Sequence, residues 1–123
     1  MVPFNMTDEE KRIPLSFYRS ESGSEPVREW LLELPAADCK KIGEGLKELE
    51  YGWPIGMPLC RPFGGGLFEL RISLASRRIA RVMVCPHGGK LVALHGFIKK
   101  TQTTSDADKK LARKRKREIE KTK

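Results

Sequence analysis

From Ile13 the apolar residues Ile13, Leu15 and Phe17 alternate with Pro14, Ser16 and Tyr18. That is the period of a half-buried strand, and Pro14 stands near its start, where a missing N–H is tolerated. A polar turn over residues 20–24 follows. Ser24 is placed to cap a helix with Pro26 in its first turn and Val27, Trp30, Leu31 and Leu34 at helical spacing. Pro35 interrupts it. A second helix carries Cys39, Ile42, Leu46 and Leu49 on one side and Lys40, Lys41, Glu44, Lys47 and Glu48 largely on the other, so the pair predicts a helical hairpin with a short join. Gly43 and Gly45 each weaken the second helix by about 1 kcal/mol relative to alanine, so packing must hold it.

Residues 51–66 contain three prolines and five glycines and predict an irregular surface loop. Three strands come next. Residues 67–73 set Phe68, Leu70 and Ile72 against Glu69, Arg71 and Ser73; residues 77–85 are rich in β-branched positions; residues 91–98 are nearly all apolar after a Pro86-His87-Gly88-Gly89 turn. Beyond Thr104, Ser105 and Asp108 have the spacing of a capping box and open a Lys/Arg-rich helix. Its apolar line of Ala107, Leu111 and Ile119 is too thin to predict deep burial. The order of elements predicts an α+β fold: a mostly antiparallel four-stranded sheet, an N-terminal helical hairpin on one face and a basic C-terminal helix. The other face is expected to be free for a ligand.

At 123 residues the chain suits one domain. Residues 1–12 read as a polar extension and 13–123 as the domain. The net charge of +8 is unevenly spread, because residues 109–123 hold nine Lys/Arg and two Glu, a net +7. Such an end attracts phosphates, anionic membrane surfaces or acidic proteins. The helix lacks an aromatic or Leu-rich face, which argues against a membrane. There is no signal-like start and no apolar run long enough to span a bilayer, so a cytoplasmic protein is expected. Cys39, Cys60 and Cys85 are an odd, widely spaced set with only His87 and His95 beside them. Neither a disulfide framework nor a metal site is expected.

Three ordered runs carry a resemblance: Glu25-Pro26-Val27-Arg28-Glu29-Trp30-Leu31, Gly66-Leu67-Phe68-Glu69-Leu70-Arg71 and Leu94-His95-Gly96-Phe97-Ile98-Lys99-Lys100-Thr101-Gln102. Together they resemble the successive signatures of the phage-derived Gp49-like, HigB-type branch of the RelE toxin superfamily, over about residues 13–120. Phe68 departs from the pattern, which usually has Trp there. The resemblance implies a RelE-like fold and the toxin of a type II toxin–antitoxin system: an mRNA interferase that cleaves mRNA in the ribosomal A site. It implies as partners the ribosome, mRNA and a HigA-like helix-turn-helix antitoxin, with operator DNA met only through the antitoxin. No cofactor is expected.

Cleavage by 2′-OH attack on the adjacent phosphate needs a base, stabilisation of the crowded phosphorane and an acid for the leaving 5′ oxygen. With two histidines, His87 in a glycine-rich turn and His95 in an apolar run, a histidine pair is a poor fit. His95 reads first as a hydrogen-bonded sheet residue. Cations are plentiful, and the resembled enzymes use Arg and Lys on the phosphate. Arg71 alternates away from Leu70 and Ile72, so it projects from the open face if those two meet the helices. On the next strand, parity leaves both Arg78 and Arg81 open; the resemblance favours Arg78 at the scissile phosphate, with Arg81 binding RNA. Lys99 and Lys100 point in opposite directions, Lys99 as the catalytic choice and Lys100 as an RNA contact. Phe97 shares the face of Lys99, where it can stack on a base or pack in the core. Gln102 and Arg113 complete the RNA-binding set. A non-catalytic basic module, such as a decayed toxin that still holds nucleic acid or an antitoxin, is the competing reading.

Overall fold

The computed structural model describes residues 12–101 and 103–121. Residues 1–11 of the expected extension, and Gln102, lie outside the described residues. The elements run β1 (Leu15–Phe17), α1 (Pro26–Glu33), α2 (Ala36–Gly52), β2 (Cys60–Gly64), β3 (Leu67–Ser73), a 3-10 turn (Ala75–Arg77), β4 (Ile79–His87), β5 (Lys90–Lys99) and α3 (Asp106–Lys121). The sheet has five strands in the order β1-β5-β4-β3-β2. β1 pairs with β5 in parallel, Leu15 opposite Leu91, and the other neighbours are antiparallel.

The helical hairpin forms as its periodicity predicts. Val27 and Leu31 of α1 and Ile42, Leu46 and Leu49 of α2 pack on Leu70, Ile72, Ala80, Val82, Val84, Leu91 and Ala93 of the sheet. Two glycines let the layers approach. A Cβ on Gly45 would lie 2.8 Å from the Ile72 side chain, and one on Gly96 would lie 2.4 Å from the Trp30 ring. Gly45 therefore weakens α2 as an isolated helix yet fits it to β3, whereas a Cβ on Gly43 would meet open space.

Three expectations need correction. The four-stranded sheet is five-stranded and mixed, because part of the expected loop is the edge strand β2. Pro62 is admissible there, since an edge strand has one side without ladder bonds. Ser24 does not cap α1: Glu25 stands at the cap position and no side chain caps the helix, while Ser24 bonds Ser20. Most consequential, the second face of the sheet is not free. Helix α3 lies on it, with Ala112 fully buried among Tyr18, Leu67, Met83, Cys85, Val92 and Leu94, and Ile119 against the same cluster. A thin apolar line suffices because Ala112 admits close approach and long polar side chains do the rest. Arg115 donates to the Leu94 carbonyl (2.8 Å) and lies over the Tyr18 ring, and Arg113 donates to the Phe63 carbonyl (3.3 Å).

Candidate functional site

Alternation along the strands sends Leu70 and Ile72 to the helical hairpin and Glu69 and Arg71 to the α3 side. Arg71 pairs across the ladder with Arg81, and Arg81 with Phe97. One irregularity decides what β5 adds. Met83 pairs with His95 but Val84 pairs with Ala93, so β5 carries one extra residue at Leu94. This bulge changes the parity of the strand, and His95, Phe97 and Lys99 face α3 while Gly96 and Ile98 face the hairpin.

The result is a band of charge beside α3. Glu69 is fully buried; one oxygen accepts a short hydrogen bond from the Thr104 hydroxyl, and the other lies 3.6 Å from Arg71 and 4.0 Å from Arg81. Arg81 is also fully buried. It donates a short hydrogen bond to the Thr101 carbonyl and lies 5.9 Å from the centre of the Phe97 ring. Its Nε and Nη1, and Oε1 of Glu69, have no hydrogen-bond partner among the described residues. Burial, then the neighbouring Arg71 charge, hold the Arg81 guanidinium below the usual arginine range, and Glu69 offsets part of that.

Asp108 ties α3 to β5. Its Oδ1 lies 2.7 Å from Nε2 of His95, and its Oδ2 accepts from Nζ of Lys99 (2.6 Å) and from the Ser105 hydroxyl (2.7 Å). Ser105 in turn accepts from the Asp108 N–H (3.1 Å), so the capping geometry expected from their spacing is present. Burial raises the Asp108 pKa, but hydrogen bonds from Lys99, His95 and Ser105 outweigh it and bring the carboxyl down to about 2. Lys99 also lies 4.9 Å from the centre of the Phe97 ring, and the His95 and Phe97 rings are 5.2 Å apart.

The structure thus brings Arg71, Arg81, Phe97 and Lys99 to one face and puts Arg78 elsewhere. Arg78 makes a two-pronged ion pair with Asp38 of α2 (2.8 and 3.0 Å) and donates to the Ala75 carbonyl (2.9 Å). The hydrogen bonds from Arg78, and then its charge, hold the Asp38 carboxyl below the usual range. Ser76 and Arg77, both at positive φ, turn the chain there. The preference for Arg78 over Arg81 is therefore reversed on placement: Arg78 fastens the β3–β4 turn to the hairpin. Lys100 is exposed just past β5, and Arg113 sits against the β2–β3 turn. Phe97 both packs against the α3-side cluster and meets cations.

Two residues of this band were missed in the sequence because they stand in the supposed loop. Arg61 pairs with Glu69 across the β2–β3 ladder, and Phe63 lies between it and α3, with Arg61 5.4 Å and Lys109 5.0 Å from the ring centre. The available signal was the alternation of Cys60, Pro62 against Arg61, Phe63, masked by the surrounding glycines and prolines. Among the described residues no three His, Cys, Asp or Glu side chains are grouped as a metal ion would require, and no helix is long and apolar enough to cross a membrane.

Fold and site define a small α+β domain with a helical hairpin on one face of a five-stranded sheet and a cationic band on the face that α3 partly covers. The sequence pattern of the phage-derived Gp49-like proteins (DUF891) matches residues 29–117, and the chain belongs to that family. No curated protein matches the chain.

Proposed function

We propose that this protein is the toxin of a type II toxin–antitoxin pair, a ribosome-dependent endoribonuclease of the RelE/HigB kind that cleaves mRNA in the A site by 2′-OH attack. The observation that carries the reading is the grouping of Arg71, Arg81 and Lys99, from three adjacent strands, on one face around Phe97. Arg71 and Lys99, with side chains 18% and 37% exposed, are the cations a phosphate can reach, and Arg61 on the edge strand extends them. Buried Arg81 adds positive potential from behind and fixes Phe97 and the Thr101 segment. A band of this kind neutralises a phosphorane as its charge grows. The exposed outer row of α3, Lys110, Lys114 and Arg117, supplies non-specific phosphate contacts to ribosomal RNA, with Lys100 and Arg113 as further RNA contacts. The partner that restrains the toxin is a helix-turn-helix antitoxin.

The test is induced expression in a bacterial host with primer extension on an abundant mRNA, comparing the natural chain with Arg71→Ala. In-frame cuts that need translation and vanish in the variant are expected; a natural chain that is soluble but neither stops growth nor cuts RNA sinks the proposal. One observation favours a second reading, the non-catalytic binding module: Arg71, Arg81 and Lys99 already face the carboxylates of Glu69 and Asp108. Under that reading the same experiment gives no cleavage, while antitoxin or RNA still binds.

A further inference from the structure

We propose that His95 is the general base of the cleavage reaction and that Asp108 is its positioning residue; the inference rests on the ribonuclease reading above. In the sequence His95 is a lone histidine in an apolar strand, with nothing near it in the chain to orient the ring. The fold supplies what was missing. The bulge at Leu94 turns His95, together with Phe97 and Lys99, to the α3 side, and α3 lays Asp108 across both ends of that row.

The geometry assigns roles to the two ring nitrogens. With Nε2 at 2.7 Å from the Asp108 carboxylate, the neutral ring carries its proton on Nε2, and the lone pair is left on Nδ1. Phe97, tilted 34° to the imidazole, backs it on the side of Lys99. Asp108 is itself fixed, through Ser105 and through the first turn of α3. The charged groups on the surfaces around the ring are Asp108 and Arg115 from α3, Lys99 from β5, Arg81 from β4, and Glu69 and Arg71 from β3. Asp108 spans His95 and Lys99 with its two oxygens, so a base and an ammonium acid are held one carboxylate apart.

In the reaction the 2′-OH proton passes to Nδ1 of His95 as the O2′–P bond forms. The P–O5′ bond breaks, and O5′ takes a proton from the Lys99 ammonium. The products are a 2′,3′-cyclic phosphate and a 5′-hydroxyl, and exchange with solvent returns the proton lost by Lys99 and removes the one gained by His95. Arg71 stays a cation throughout. An Asp108 that only latched α3 to the sheet would leave the chemistry indifferent to the ring.

The deciding experiment is single-turnover cleavage of a short mRNA on purified ribosomes across a pH series, with the natural chain, Arg71→Ala, His95→Gln and Asp108→Asn, each checked for folding by thermal melting. His95→Gln is expected to slow the step by on the order of 10²–10⁴ at saturating ribosome, with little change in half-saturation, and to erase the acid limb of the profile. Asp108→Asn is expected to slow it less and to displace that limb. If His95→Gln cuts at the natural rate and with the natural profile while Arg71→Ala cuts nothing, the ribonuclease reading stands and the base assignment is overturned. A natural chain that cuts nothing overturns both. Nitrogen-15 spectra of the imidazole in the natural protein need no variant: an Nε2–H tautomer is expected, and an Nδ1–H tautomer overturns the assignment.

Discussion

Towards the helical hairpin the sheet presents Leu70, Ile72, Ala80, Val82, Val84 and Ala93; towards α3 the intervening positions of the same strands include Glu69, Arg71, Arg81, His95, Phe97 and Lys99. The first face is held by removal of apolar area from water, about 25 cal/mol per Å², with close contacts such as Trp30 on Gly96 setting the spacing. The second is held at one end by a small apolar cluster around Ala112 and at the other by ion pairs that hold Arg71, Arg81 and Lys99 in place. Burying such pairs gains little net stability, because desolvation offsets most of the Coulomb attraction. The hairpin face makes the fold, and the α3 face uses part of that stability to keep charge where water would otherwise screen it.

This comparison can be broken most severely at Glu69. Glu69→Ala leaves fully buried Arg81 without its carboxylate and is expected to cost about 3–5 kcal/mol, read as a fall in the denaturant midpoint. A loss under about 1 kcal/mol would mean that the Thr101 carbonyl and the Phe97 ring suffice for Arg81. On the hairpin face Gly96→Ala is expected to cost about 1–3 kcal/mol, because its Cβ meets the Trp30 ring, and Trp30→Leu in the same chain should recover part of the loss. The additivity of the two single variants measures that recovery. Smaller is the acid limb of stability. The Asp108 pKa is depressed to about 2 in the folded chain, so its stabilising contribution is complete above the ordinary aspartate value of 3.8 and is lost as pH falls through about 2. Asp108→Asn should flatten the stability curve between about pH 4 and pH 2, whereas Arg71→Ala should leave that limb in place. The smallest effect is expected at Arg61→Ala, which sits on the edge strand: melting unchanged within a degree or two, and weaker RNA binding with a shallower salt dependence.

Periodicity made the apolar side of this molecule legible. Val27, Leu31, Ile42, Leu46 and Leu49 are core residues because their spacing says so, and the alternation around Leu70 and Ile72 correctly turns Arg71 the other way. The charged side was harder to read, for three physical reasons. An edge strand tolerates Pro62 and flanking glycines, so β2 resembled a loop and hid Arg61 and Phe63. A one-residue bulge has no signature in composition: alternation groups His95, Phe97 and Lys99, but counted on from Ala93 it would turn that row to the hairpin face, away from Arg71 and Arg81. The docking of α3 relies on one alanine and on the aliphatic stems of arginines, which hydrophobic counting ignores. The reach of Arg78 to Asp38 depends on two left-handed residues in a turn and could not be foreseen from strand parity.

The parallel pairing of β1 with β5, Leu15 beside Leu91, sets a timetable. During synthesis the amino-terminal strand leaves the ribosome long before its partner exists, and the helical hairpin must wait beside an incomplete sheet. Lys99, Asp108 and the helix that aligns them follow the other strands of the sheet. A chain interrupted anywhere before α3 therefore holds hydrophobic surface without the finished cationic band.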